Sequence, residues 1–312
     1  MKNNVVEISP TKGEWAAVEA YLDRRYAPAT KWMYGASVRK FEVWCRNRDL
    51  SALPAAIETV AMFVAHEAKN GMRPSTVARH LAAIRQQHLD ADYDDPTSDP
   101  LIRSLLRGIR RTVGTAAAQK DPATVDILRR LVGQTDTSTK GIRDRAILLL
   151  GFAGAFRRGE LAALEVGDLE FGDGRLRVLI KRSKSDQEQA GQEVEIAAGR
   201  FLCPLQAVRE WVAAVGNDTG PLFRRVLKNG RVLDRGMTGH AIGRLVKAYA
   251  EKAGLDPAAF GAHSLRSGFL TSAAATGATV FELRAVSRHR NLEGLRPYVR
   301  VGSDRTAGAG LL

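Results

Sequence analysis

The chain has 312 residues, enough for two domains with separate cores, and its 45% hydrophobic and 26% charged residues are globular values. Lys and Arg number 47 against 34 Asp and Glu, a net charge of +13 that points to a polyanionic partner, nucleic acid first. Two cysteines, Cys45 and Cys203, exclude a disulfide framework and a metal-ligand spacing. The longest apolar run, Ala146 to Phe156, is too short to span a bilayer, and the N-terminus has no apolar signal core, so a cytoplasmic protein is expected.

Residues 11–28 carry Trp15, Val18 and Leu22 at helical spacing. Thr30 is the expected N-cap of a second helix, with Tyr34, Val38, Phe41 and Cys45 on one side. A third helix runs from Pro54 with Ile57, Val60 and Val64 inward. A fourth starts at Pro74, buries Val77, Leu81 and Ile84, and shows Arg79 and His80 on its other side. A fifth, Ser98 to Thr112, repeats Arg103, Arg107 and Arg111 every four residues. These five helices predict an N-terminal helical domain over residues 1–112. Arg79, His80, Arg103 and Arg107 are its candidate DNA contacts, since long basic side chains reach phosphate and a helix fits the major groove. The acidic loop 90–99 is expected to face away from DNA or to meet another protein. Residues 113–122 read as a linker, with Asp121-Pro122 capping the next helix.

The second domain, 123–312, opens with a buried helix over 141–155, followed by Arg157 and Glu160. Strands are expected at Asp168–Phe171, Arg175–Lys181 and Glu193–Ile196, with Gly172-Asp173-Gly174 as a turn. Lys181 and Lys184 lie on the tip between the second and third strands. Helices resume at about Cys203–Ala214 and Met237–Ala253. From Arg224 to Lys247 basic residues crowd against one acid, and Arg224, Arg225, Arg231, Arg235, Arg244 and Lys247 form a candidate phosphate-facing surface. Arg284, Arg288, Arg290, Arg296, Arg300 and Arg305 make a second basic patch.

The stretch from His263 to Tyr298 concentrates the chemistry. His263 and Arg266 share one helix face and can reach one small anion together. Gly277 stops that helix, and Val280, Leu283 and Val286 mark another. His289 falls just past it, and Tyr298 follows nine residues later.

Taken in order, Arg157-x-x-Glu160-Leu161 after a buried helix, a hairpin lysine, His263-x-x-Arg266, His289 and Tyr298 resemble the tyrosine recombinase family over essentially the whole chain. The resemblance implies a mainly α fold with a small antiparallel β-sheet in the C-terminal domain: a helical core-binding domain, then an α+β catalytic domain. It implies that Arg157 and Arg266 are the catalytic arginines, His263 and His289 the histidines, Glu160 the supporting acid and Tyr298 the nucleophile. Ser183-Lys184-Ser185 looks like the hairpin of some integrases, which favours Lys184 as general acid over Lys181. By resemblance the partners are double-stranded recombination sites and three further copies of the chain, with no metal and no other cofactor. A simple two-domain recombinase is expected, with a tail that ends in Leu311-Leu312 docking on a neighbouring protomer. Nearby arginines are expected to favour the phenolate of Tyr298. A type IB topoisomerase uses a similar set, and a DNA-binding protein with an idle site is the reading from another class.

Overall fold

A computed structural model describes residues 12–114, 119–181, 191–216, 219–289 and 291–299. The chain divides into two compact units, residues 1–118 and 119–312, and the division falls inside the 113–122 segment. Among the described residues no helix is long and apolar enough to cross a membrane.

The first unit is helical throughout: α1 Lys12–Arg24, α2 Pro28–Arg46, α3 Ile57–Lys69, α4 Pro74–Asp90 and α5 Pro100–Val113. Three of these helices open on proline, which lacks only an N–H that the first turn leaves unused. That preference starts α2 at Pro28, ahead of the expected Thr30 cap. Phe41, Cys45, Val60, Phe63, Val64, Val77, Ile84 and Ile102 fill the core. The periodic residues of α1 stay outside it, with Trp15 58% and Leu22 51% exposed.

Three of the five aspartates in the acidic loop are engaged locally. Asp99 caps α5 through the Leu101 N–H at 2.7 Å, while Asp90 pairs with Arg25 at 2.5 Å and Asp95 with Arg85 at 3.3 Å. His80 corrects the expectation of a DNA contact. It is buried, its ring packs 5.9 Å from that of Phe63, and Nε2 lies 3.4 Å from Glu67, which also takes Lys40 at 2.5 Å. Position 80 sits between the apolar positions 77, 81 and 84, so it turns inward with them.

The second unit contains α6 Val125–Gly133, α7 Thr139–Ala153, α8 Arg158–Ala163, β1 Leu169–Gly172, β2 Arg175–Ile180, β3 Gln192–Ala197, α9 Pro204–Val215, β4 Arg224–Val226, β5 Val232–Gly236, α10 Gly239–Lys252, α11 Ala262–Ala275, α12 Val280–Ser287 and α13 Arg296–Val299. The first three strands form an antiparallel meander in the order β1-β2-β3, with Leu169 opposite Val178 and Val178 opposite Val194. Inward Leu176, Val178, Ile180, Val194 and Ile196 alternate with outward residues that are polar except Leu179 and Ala197, as a half-buried sheet favours. The central helix α7 is buried on nearly every side, Ala146 to Leu150 included, which is why its sequence is apolar without a clean period.

The expected helix start at Asp121-Pro122 is corrected to Val125. Residues 121–123 instead lie along the start of α11 and the turn before it: Asp121 N–H donates to Ala259 O and Ala123 N–H to Ser264 O, both at 2.8 Å. Gly268 admits this approach, since a Cβ there would stand 1.9 Å from the Ala123 carbonyl oxygen. The hairpin β4–β5 escaped the sequence reading because strands this short and this charged leave no alternation to detect.

Candidate active site

Three stretches converge: the turn leaving α7, the first half of α11, and the loop from the end of α12 to α13. Arg157 occupies the N-cap of α8. Its backbone N–H donates to Glu160 Oε2 at 2.9 Å, its Nη1 to Glu160 Oε1 at 2.6 Å, and its Nη2 to the carbonyl of Arg288 at 3.0 Å. The same carboxylate both steadies the helix start and aims the guanidinium. Glu160 itself is 3% exposed, and a carboxylate so buried must be paired.

Arg266 is buried in α11. Its Nη1 donates to Ala155 O at 2.8 Å and its Nη2 to Ser287 O, while the ring nitrogens of His289 lie 3.3 and 3.4 Å from Nη2. His289 Nδ1 is 2.7 Å from Ser287 Oγ. Gly294 closes the other side of that ring, where a Cβ would come within 2.9 Å of His289 Cδ2. His263, one turn before Arg266, opens to solvent on one side. Tyr298 is half-buried in α13 and packs on the cluster of Leu270, Ala274, Leu283 and Leu295.

Two non-glycine residues here hold left-handed backbone, Ala155 at φ 44° and Arg288 at φ 56°. Such conformations cost ~1–2 kcal/mol per residue and persist where the surroundings fix them. Ala155 directs its carbonyl to Arg266 and also to Arg288 Nη2 at 3.3 Å. Gly154 is needed beside it, because a Cβ there would strike the Phe156 ring at 2.1 Å.

Burial sets the protonation states. It lowers His289 to about 4, helped by the charges of Arg266 and Arg157, and lowers His263 with the same two arginines adding to the effect. Burial also brings Arg266 down to about 10. For Tyr298, burial raises the phenol above its ordinary value and the Arg266 charge only partly offsets it. Arg266 does favour the phenolate as expected, but apolar packing outweighs the guanidinium, and the resting group is a neutral phenol. Neutral imidazoles and a neutral phenol surround the arginines, so the site is poised to gather an anion and to accept a proton from the tyrosine.

The remaining expected residues divide by surface. Arg79, Arg103, Arg107, Arg225, Arg231, Arg235, Arg244 and Lys247 are exposed. Arg224 is not. It is 4% exposed and donates to Thr219 O at 2.6 Å, Pro221 O at 3.2 Å and Asp234 at 3.2 Å, so the candidate contact becomes a support of the β4–β5 hairpin. Lys184 lies outside the described residues. Lys181 pairs with Asp168 at 2.6 Å and Glu165 at 2.9 Å, and those carboxylates hold its pKa above the ordinary lysine value. In the sequence Arg288 falls in the second basic patch. It points inward instead, onto Glu160 at 2.9 Å, and nothing in the sequence signals an arginine on left-handed backbone.

Comparison with known proteins points to a family and a fold. The model of the phage integrase family matches residues 123–305. An integrase/recombinase xerD homolog of Selenomonas ruminantium is 30% identical over 288 residues, covering 90% of this chain and 84% of that protein. The recombinase cre of Escherichia phage P1 is 25% identical over 313 residues, covering 94% and 90%. Among solved structures, a lambda integrase (75–356) dimer bound to a COC' core site aligns with TM-score 0.60 at 14% identity over 93% of this chain and 95% of that one. The XerH site-specific recombinase bound to palindromic difH substrate, a post-cleavage complex, aligns with TM-score 0.59 at 19% identity over 82% and 72%. With the paired arginines, the two histidines and the tyrosine gathered at one place in this fold, the chain belongs to the phage integrase family, the tyrosine recombinases.

Proposed function

We propose that the protein cuts and rejoins duplex DNA at specific sites through a 3′-phosphotyrosine on Tyr298, working as a tetramer on DNA. The observation that carries this is the convergence of Arg157, Arg266, His263, His289 and Tyr298 from three distant stretches. The guanidiniums bind the non-bridging oxygens of the scissile phosphate and oppose the charge that grows in the transition state. The Tyr298 oxygen attacks phosphorus as its proton passes to the neutral His263 imidazole. The P–O5′ bond breaks, and Lys184 protonates the departing 5′ oxygen. Lys181 is the weaker candidate for that step because two carboxylates already hold it. The phosphotyrosine conserves the bond, and a 5′ hydroxyl from a second duplex reverses the step without ATP. The exposed basic residues named above are the proposed phosphate contacts, with residues 1–112 as core-binding domain, 113–122 as linker and 123–312 as catalytic domain. The protein is expected in the cytoplasm, where its DNA lies.

Incubation with a randomised duplex pool, followed by denaturing capture of protein–DNA adduct, tests the reading. Wild-type protein is expected to retain DNA through Tyr298, and Tyr298→Phe to bind DNA but retain none. Adduct that survives in Tyr298→Phe and maps to another residue refutes the assignment.

A further inference from the structure

Glu160 poses a problem for the site. Its buried carboxylate touches Arg157 Nη1 at 2.6 Å and, unopposed, would neutralise the charge that Arg157 must offer to phosphate. Arg288 lies on the other side of the same carboxylate. It is itself buried, and its Nη2 donates to Glu160 Oε2 at 2.9 Å. Its Nη1 donates to Gly154 O at 3.0 Å and Val286 O at 2.7 Å, and its guanidinium lies 5.2 Å from the centre of the Phe156 ring. Its carbonyl takes the Nη2 of Arg157.

We propose that Arg288 is a positioning residue of the strand-transfer site, whose guanidinium balances Glu160 and whose carbonyl aims Arg157, so that Arg157 keeps its charge for the scissile phosphate. Three positive groups (Arg157, Arg266 and Arg288) then stand against one negative, leaving two charges for a phosphate that gains charge in the transition state. Without Arg288 one charge remains. The backbone makes the same point independently. At φ 56° glycine would sit without strain, and the chain carries an arginine there instead. The side chain therefore does something that outweighs the conformational cost.

This inference rests on the function proposed above, and the experiment separates the two. The substrate is a nicked duplex carrying the sequence that wild-type protein captures from the randomised pool, and the readout is the rate of adduct formation. Arg288→Gly suits the backbone and is expected to form adduct about 10- to 100-fold more slowly, less than the ~10²–10³ for loss of a direct oxyanion donor. Adding Glu160→Gln to Arg288→Gly removes the stranded carboxylate and is expected to recover much of that loss. A methylphosphonate at the scissile position, one negative charge poorer, is expected to narrow the gap between Arg288→Gly and wild type. If Arg288→Gly melts early, Arg288→Lys keeps the charge and is expected to fall between the two in rate. An Arg288→Gly rate equal to wild type overturns the inference and leaves the function standing. A slow Arg288→Gly that neither Glu160→Gln nor the methylphosphonate relieves overturns it too, in favour of simple packing. Absence of adduct from wild-type protein overturns the function and this inference together.

Discussion

His289 and His263 share a property that pH can read. Both are held below their ordinary imidazole pKa, His289 at about 4, by burial and the arginine charges. Between pH ~6.5 and about 4 the unfolded chain therefore binds a proton that native His289 refuses, and His263 acts in the same sense. Stability from these groups is complete above the unfolded pKa and is lost as pH falls through this window. DNA works in the opposite sense, because phosphate beside the rings favours the imidazolium. The expected outcome is a melting temperature that falls from pH 7.5 to 5 while DNA affinity at fixed salt rises. Replacing His289 with Gln should flatten both trends, and wild-type curves already flat in this window would contradict the assignment. At this scale the sequence was informative where residue type carries the role. His263-x-x-Arg266, His289 and Tyr298 are legible from order and spacing. His80 and Arg224 were misplaced because a basic side chain on a half-apolar helix or a short strand can turn either way. Arg288 was missed because φ is not written in an arginine.

At the scale of elements, α11 carries two site residues and is clasped by the extended segment at Ala123. Gly268 is the contact that makes this possible, and the obstacle to any larger residue is backbone, which cannot swing away. Gly268→Ala is expected to destabilise the second unit by about 1–3 kcal/mol or more, the usual cost of overpacking. Gly243 in α10 is the control. A Cβ there meets only Ala262 N at 4.0 Å, so Gly243→Ala should stabilise by about 1 kcal/mol through helix propensity. Thermal melts of the two variants should shift in opposite directions, and a Gly268→Ala protein as stable as wild type would show the clasp to be dispensable. Helices opening on proline and strands with strict alternation were legible within a few residues. The clasp was not, because Asp121-Pro122 has the local form of a helix start and only the distant Gly268 groove draws it into extended backbone.

For the whole molecule, a surplus of thirteen positive charges and exposed basic residues in both units predict binding dominated by phosphate neutralisation. Each neutralised phosphate contributes about −0.9 to the slope of log K against log salt. A slope steeper than about −3 is expected for the intact chain, measured by fluorescence anisotropy across a salt series. A shallower slope would mean that few of these residues touch DNA at once. The division into a helical and an α+β unit was legible because the periodicity changes and a small, polar, glycine-bearing stretch separates the halves. The balance of charge within the site was not, since Glu160 and Arg288 lie far apart in the chain and meet only once α7, α8 and α12 are packed.

Backbone oxygens do much of the holding around the arginines. Ala155 and Ser287 hold Arg266, Gly154 and Val286 hold Arg288, and Arg288 in turn holds Arg157. A carbonyl is common to all twenty amino acids. The arrangement is therefore encoded in the path of the chain more than in the letters along it, and it can outlast wide sequence drift as long as that path is kept. A substitution at Gly154, Ala155, Val286 or Ser287 that spares the turn is expected to leave the arginines held in place. An insertion or a proline that bends 154–157 or 286–289 is expected to undo the arrangement while every residue proposed as catalytic is still in place.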